Sequence, residues 1–375
     1  MYKTLYPLKD TTLYSQFANQ NTGVDQILEL SKQVIASPSL EGDDTVYYDQ
    51  TYNSRILIAF DLTSVSQSIV SGKIGSNAEY FLNLRATEAN NLSISYGVFA
   101  YPVSASWNSG TGYYNNSPKV TNGVSWRYRD SKLEGTLWAT ESYNANSTGS
   151  FGSIPHGSTW YTSSFASQSF NYDEPDIRMN VTEIVRLWLS GSIQNNGFVI
   201  KLSDSLEQDS SVFGSIKFFS MDTHTIYIPR LEIYWDDTDL SGIGSISEIG
   251  SDDFVFHAKN LRNSYSDVEQ PKIRFHVRPR FPTLAYTTSS VLLDNYRIPT
   301  SSYFQIQDVV TDEVIIPYHV SGTKVHCDST SNYIKLDCNS LLSERYYKLV
   351  IRCEFDGGDT IRMVDENHVF KIFRT

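Results

Sequence analysis

The stretch Met179–Leu202, MNVTEIVRLWLSGSIQNNGFVIKL, joins a helical pattern to a strand. Val181, Ile184, Val185, Trp188 and Leu189 fall at i, i+3, i+4, i+7 and i+8, one apolar stripe at helical period. Asn180 is placed to cap the helix, with Glu183 three residues on as its reciprocal partner and Met179 able to staple onto Ile184. Gly191 is placed to stop it in a left-handed turn, and Asn195-Asn196-Gly197 turns the chain into FVIKL. So short a helix is unstable alone in water, so the stripe must lie on a sheet.

The surrounding chain supplies that sheet. RILIAFDL puts Ile56, Ile58, Phe60 and Leu62 on one face. NAEYFLNLR repeats the pattern with Ala78, Tyr80, Leu82 and Leu84, LSISYGVFA with Leu92, Ile94, Tyr96, Val98 and Ala100, and PRLEIYW with Leu231, Ile233 and Trp235. Between Tyr101 and Asn171 a Ser/Thr/Gly/Asn-rich region carries Trp107, Trp126, Trp138 and Trp160 and keeps no period, which predicts elaborated loops. The expectation is an all-β chain whose N-terminal part is a jelly-roll β-sandwich with one short helix capping an open end.

Composition agrees. The 375 residues suit two or three domains, and 25 Tyr and 19 Phe among many Ser, Thr and Asn are typical of β proteins. The net charge of −12 argues against nucleic acid as a partner. No apolar run approaches a membrane span, and MYKTLYPLKD lacks the apolar core of a signal peptide, so the expectation is synthesis and assembly in the cytoplasm with no membrane partner. Cys327, Cys338 and Cys353 have neither even number nor zinc spacing, which predicts buried free thiols.

The order of the pieces resembles the DNRLRE domain family over roughly residues 8–236. DTTLYSQFANQNTGVDQILEL, SRILIAFDL, ANNLSISYGVF, SWNSGTG and VSWRYRD come first, then the helix-to-strand stretch above, VFGSIKFFS and YIPRLEIYW. The six-letter run that names the family is absent, and the 101–171 region is longer and more aromatic than its pattern. Members resemble carbohydrate-binding modules and also occur in cell-surface and phage proteins, so the resemblance implies binding or scaffolding rather than catalysis. For a polysaccharide, the candidate contacts are Trp107, Tyr113, Tyr114, Trp160 and Tyr161, loop rings that either stack on sugar faces or pack the loops onto the sandwich.

LSGIGSISEIGSDD reads as a boundary, which divides the chain into 1–237, a linker at 238–253, and a C-terminal β-sandwich at 254–375. Within 281–375, Leu341, Tyr347 and the alternating Leu349, Ile351 and Cys353 resemble the leucine and corner tyrosine of immunoglobulin-like and fibronectin type III sandwiches. A similar module occurs in tailed-phage structural proteins. In KIRFHVRPRF, Lys272, Arg274, His276, Arg278 and Arg280 alternate with Ile273, Phe275, Val277, Pro279 and Phe281. That pattern predicts an edge strand guarded by charge, a face on which Lys272, Arg274, Arg278 and Arg280 dock an acidic partner, or both.

Catalytic chemistry leaves no signature. The seven histidines lack metal-ligand spacing, no GxSxG or phosphate-cradling glycine run occurs, and Asp173, Glu174 and Asp176 in NYDEPD read as a solvated turn before the helix in preference to a cation site. No metal, cofactor or enzymatic activity is expected. The expected function is that of a multi-copy structural component of a tailed-phage virion (tail, baseplate or neck) contacting other virion subunits, the alternative being a non-catalytic carbohydrate-binding surface protein.

Overall fold

The computed structural model describes residues 1–41, 44–131, 135–138, 157–171, 175–209, 213–251, 253–283 and 293–375, with backbone alone for 36–41 and 44–49. NYDEPD falls partly outside these residues, at 172–174. Strands account for 44% and helices for 9%, which makes the chain an all-β sandwich protein. It divides into two compact units, one of Leu5–Gln67 and Tyr80–Glu232, the other of Met1–Thr4, Ser68–Glu79 and Ile233–Thr375.

The main sheet of the first unit runs in the order Ala166–Asn171, Ser95–Pro102, Phe198–Leu202, Asp44–Ala59, Ile27–Glu41, Gly214–Phe219 and Ala86–Asn90, with Lys9–Tyr14 also paired to Asp44–Ala59. The expected helix spans Thr182–Leu189 and buries Ile184, Val185 and Trp188. Its N-cap is Val181, one residue beyond the position expected and without a side-chain cap bond; Asn180 Oδ1 accepts from the Thr182 N–H at 3.0 Å, and Glu183 pairs with Arg186 instead of reaching back to Asn180. Gly191, at φ 73°, ends it in the left-handed turn, its N–H donating to the Trp188 carbonyl. The Trp188 indole meets Phe198 edge-on, with centroids 4.6 Å apart, so helix and following strand share one core.

Two further helices, Thr63–Val70 and Asp204–Gln208, occur where the sequence reading had only one. The first is mostly Ser, Thr and Gln with Val65 alone buried, and the second is a single capped turn whose Leu206 N–H donates to Ser203 Oγ at 3.2 Å. Ile94, expected inward, lies before its strand begins at Ser95 and is 64% exposed.

Period two describes only half of the sheet's burial. Ile56 and Ile58 are fully buried, as expected, but so is Leu57 on the opposite face. Likewise all five residues of Phe198–Leu202 are buried. The second face is covered by the loop tryptophans: Trp107, Trp126, Trp138 and Trp160 form one cluster with Leu13, Leu57, Ala59, Val103, Val124 and Val199. The aperiodic loops are thus a second core.

In the other unit, Phe254–Ala258, Lys272–Pro279, Asn332–Lys335 and His326–Cys327 form one sheet, and Ser264–Ser266, Thr360–Phe373, Arg345–Phe355, Ser302–Asp308 and Val314–Ile316 another. Tyr347 is buried and its hydroxyl donates to the Leu342 carbonyl at 2.9 Å, the corner contact its sequence context predicted. Cys327, Cys338 and Cys353 are free and buried. The 238–253 segment is tied down: Gly242 N–H donates to the Cys327 carbonyl and Ile249 N–H to that of Arg297.

Trp188→Ala should cost the first unit about 3–5 kcal/mol, measured by urea unfolding, because the indole fills a closed site. His326 stacks on Tyr333 at 4.8 Å and accepts from the Asp239 N–H at Nδ1 (3.0 Å). Burial, only partly offset by Asp237, pushes its imidazole down to about 4. The unfolded chain then binds the extra proton first, so this group's contribution is intact above the unfolded value of about 6.5 and is lost as pH falls toward 4. Urea midpoints should therefore fall more steeply with acid in the wild type than in His326→Gln.

Candidate functional site

Ile27–Glu41 and Asp44–Ala59 are far longer than the body of the sheet needs. They pair antiparallel from Lys32 opposite Asn53 to Glu41 opposite Asp44. Gly214–Phe219 leaves the first strand at Lys32, and Lys9–Tyr14 leaves the second at Ser54. Beyond those points the two strands have, among the described residues, only each other as strand neighbours. Nine residues per strand at about 3.3 Å each make a two-stranded arm about 30 Å long.

The arm is rooted in buried charge. Arg55, at the base of one strand, holds Glu207 through two parallel bonds, Nε to Oε1 at 3.0 Å and Nη2 to Oε2 at 2.8 Å. Lys201 Nζ lies 2.8 Å from Glu207 Oε2 and also pairs with Asp204. Burial alone would raise the Glu207 carboxyl, but Arg55 and Lys201 outweigh it and hold it below the ordinary glutamate value. Lys32, at the base of the other strand, is fully buried and donates to the carbonyls of Leu206 and Asp209 and to the Asp209 carboxylate. Asn53 Nδ2 donates to the Glu207 carbonyl at 3.3 Å. One helical turn, Asp204–Gln208, with its flanking residue Asp209, therefore clamps both strands where the arm leaves the sheet.

Aromatic rings close over the clamp. The Arg55 guanidinium lies 4.9 Å from the Trp126 ring and 5.0 Å from that of Trp160, and the Lys201 ammonium lies 5.5 Å from Trp160. Arg55 Nη1 also donates to the Gly157 carbonyl at 2.8 Å. A Cβ at Gly157, whose φ is 78°, would sit 2.8 Å from both Arg55 Nη1 and Trp126, so only glycine brings its carbonyl this close.

This placement decides the roles open to the loop aromatics. Trp107 is buried, donates from Nε1 to the Asn196 carbonyl at 2.8 Å and carries the Lys9 ammonium 4.1 Å over its ring. Trp160 is 1% exposed. Neither presents a face on which a sugar can stack, so packing is their role in this fold. Tyr161 is half-buried, its N–H donating to the Pro102 carbonyl, and Tyr113 is exposed.

Tyr114 instead joins a cleft at the arm's base with Tyr14, Glu29, Gln33, Tyr52 and Asn53. Its ring is 4.9 Å from that of Tyr14, whose hydroxyl donates to Glu29 Oε2 at 3.0 Å. Burial raises the Glu29 carboxyl against that hydrogen bond. Asn53 Oδ1, whose amide Nδ2 reaches the Glu207 carbonyl on the clamp side, is buried and has no hydrogen-bond partner among the described residues. The cleft measures about 310 Å³ to its open mouth, but only about 30 Å³ can hold the centre of a water molecule, so it takes a water or two and encloses no pyranose.

The basic strand in the other unit lies inside its sheet. Lys272–Pro279 pairs with Phe254–Ala258 on one side and Asn332–Lys335 on the other, which corrects the edge-strand expectation. Ile273, Phe275 and Val277 are buried as the alternation predicts, while Phe281 lies past the strand end and is exposed. The basic face finds its counter-charges in the chain. Lys272 and Arg274 converge on Asp328 at 3.0 and 2.7 Å, and Arg280 pairs with Asp253 at 2.7 Å. Arg278 Nη1 donates to the Pro279 carbonyl.

Among the described residues no group of three or more His, Cys, Asp or Glu side chains is arranged to hold a metal ion. Comparison with protein-family models and with curated proteins returns no match. Removing one member of the clamp strands the others in the interior. Glu207→Ala should destabilise the first unit by about 3–5 kcal/mol in urea unfolding, and the double variant Arg55→Met, Glu207→Ala by less than the sum of the two single losses.

Proposed function

We propose that this chain is a structural subunit, a scaffold or adaptor that works through protein–protein contacts in a larger assembly. The observation that carries the reading is the arm. A two-stranded hairpin is at best marginally stable in water, and both of its outer edges carry unsatisfied backbone groups. Yet the fold commits a clamp of buried charges to hold this one out from the sheet. Such a device is suited to a partner that covers it. The sequence resemblance to the DNRLRE family and to sandwich modules of tailed phages supports a tailed-phage virion as the setting.

The carbohydrate reading keeps one observation in its favour, the tyrosine-lined cleft at the arm's base. Its small volume weighs against it. An antibody to this protein should decorate particles of the encoding phage at a fixed position in micrographs. A chain shortened by deleting 36–49 should still fold but should drop out of purified particles, measured as its band intensity relative to capsid protein. Unlabelled particles, together with a polysaccharide ligand that Tyr114→Ala abolishes, would favour the alternative.

A further inference from the structure

We infer that the outer edge of the arm strand Asp44–Ala59, over Thr45–Thr51, accepts an extended lysine- or arginine-rich segment of another protein as an added β-strand. The inference rests on the assembly reading and specifies the edge and the chemistry of the partner.

Backbone alternation identifies the edge. Asn53 turns its carbonyl away from its arm partner, accepting from the Ser15 N–H at 3.0 Å, and its N–H donates to Ser15 Oγ at 2.8 Å. The antiparallel ladder alternates strictly, so Thr51, Asp49, Tyr47 and Thr45 also turn their N–H and C=O groups outward, in line with Lys9–Tyr14. Among the described residues no strand continues that line past Ser15. The vacancy is four donor–acceptor positions spaced about 6.6 Å apart.

The other strand is guarded. Ser31 N–H donates to Ser54 Oγ, toward the second arm strand, so Lys32, Val34, Ala36 and Pro38 face the opposite way, outward. Pro38 has no N–H, and it interrupts this edge where an added strand would need a donor. The strand carrying Thr45–Thr51 has no proline.

Charge selects the occupant. From Gln33 to Asn53 the chain carries Glu41, Asp43, Asp44 and Asp49 and no Lys or Arg, in a protein of net charge −12. A second copy of the arm would bring the same negative charges together, whereas a basic strand gains from them and is steered toward them. Main-chain pairing supplies the affinity in this mode of recognition, and the arm's charge supplies the discrimination.

The test uses the full chain and a fluorescein-labelled peptide of alternating lysine and valine, KVKVKVK, with EVEVEVE as charge control. Fluorescence anisotropy at low salt should show the lysine peptide binding at least tenfold more tightly than the glutamate peptide. Asp49→Pro, which removes one outward N–H as Pro38 does on the other strand, should weaken it at least tenfold, while Asp49→Asn, which removes only the charge, should weaken it less. Hydrogen exchange should find the amides of Thr45, Tyr47, Asp49 and Thr51 unprotected in the free chain and protected with the lysine peptide. Equal binding of both peptides, or unchanged binding by Asp49→Pro, would overturn the proposal. So would protection of those amides in the free monomer, which would mean the chain covers its own edge, or protection that appears only as the protein dimerises in sedimentation. If the 36–49 deletion is lost from particles while no peptide binds, the assembly reading stands and this edge assignment fails.

Discussion

The pairing of Arg55 with Glu207 is the contact from which the first unit is organised. A carboxylate and a guanidinium taken out of water cost several kcal/mol each, and only a bidentate geometry with every remaining donor satisfied repays that cost. Here Lys201 takes the second share of the carboxylate, the Gly157 carbonyl takes a remaining guanidinium donor, and two indoles cover the cations. Each partner comes from a different part of the chain: a sheet strand, the strand after the capping helix, a one-turn helix and the tryptophan loops. A polar network of this kind contributes less to net stability than to fixing one arrangement, because any misplacement leaves a buried charge alone.

That constraint explains why the sheet is buried on both faces. The Ile56, Ile58 and Phe198 face packs toward the helix core, and the Leu57, Ala59 and Val199 face packs under the tryptophans. Arg55 and Lys201 lie on the tryptophan side by strand alternation, so the loops shield the charges as well as the hydrocarbon. The arm emerges at the rim of this double-sided region, where, among the described residues, the two strands have only each other as strand neighbours.

The parts legible in the sequence are those with local period. The capping helix, its glycine stop, the alternating strands and the corner tyrosine all rest on contacts within a few residues; the cap fell one position later than expected and Ile94 fell outside its strand. The tryptophans were visible as residues but not as a core, because their partners sit on the strand face that period two assigns to solvent. The three consecutive apolar residues Phe198-Val199-Ile200 were the available signal for burial on both faces. The charge clamp and the counter-ions of the basic strand were invisible. Glu207 and Arg55, or Asp328 and Arg274, are brought together by topology, and no spacing rule connects them. The arm's one sequence trace is the polar run Glu41-Gly42-Asp43-Asp44, since Gly and Asp punctuate strands.

Buried charge at the root holds the arm out from the sheet, and amide hydrogen exchange, followed residue by residue in the wild type and in Lys32→Met, tests this most directly. The clamp predicts that in Lys32→Met the ladder amides Gln33, Ile35, Gln50 and Tyr52 lose at least tenfold in protection, while the helix Thr182–Leu189 keeps its own. Unchanged protection of those four amides, or an equal loss across the helix and the arm, would contradict it.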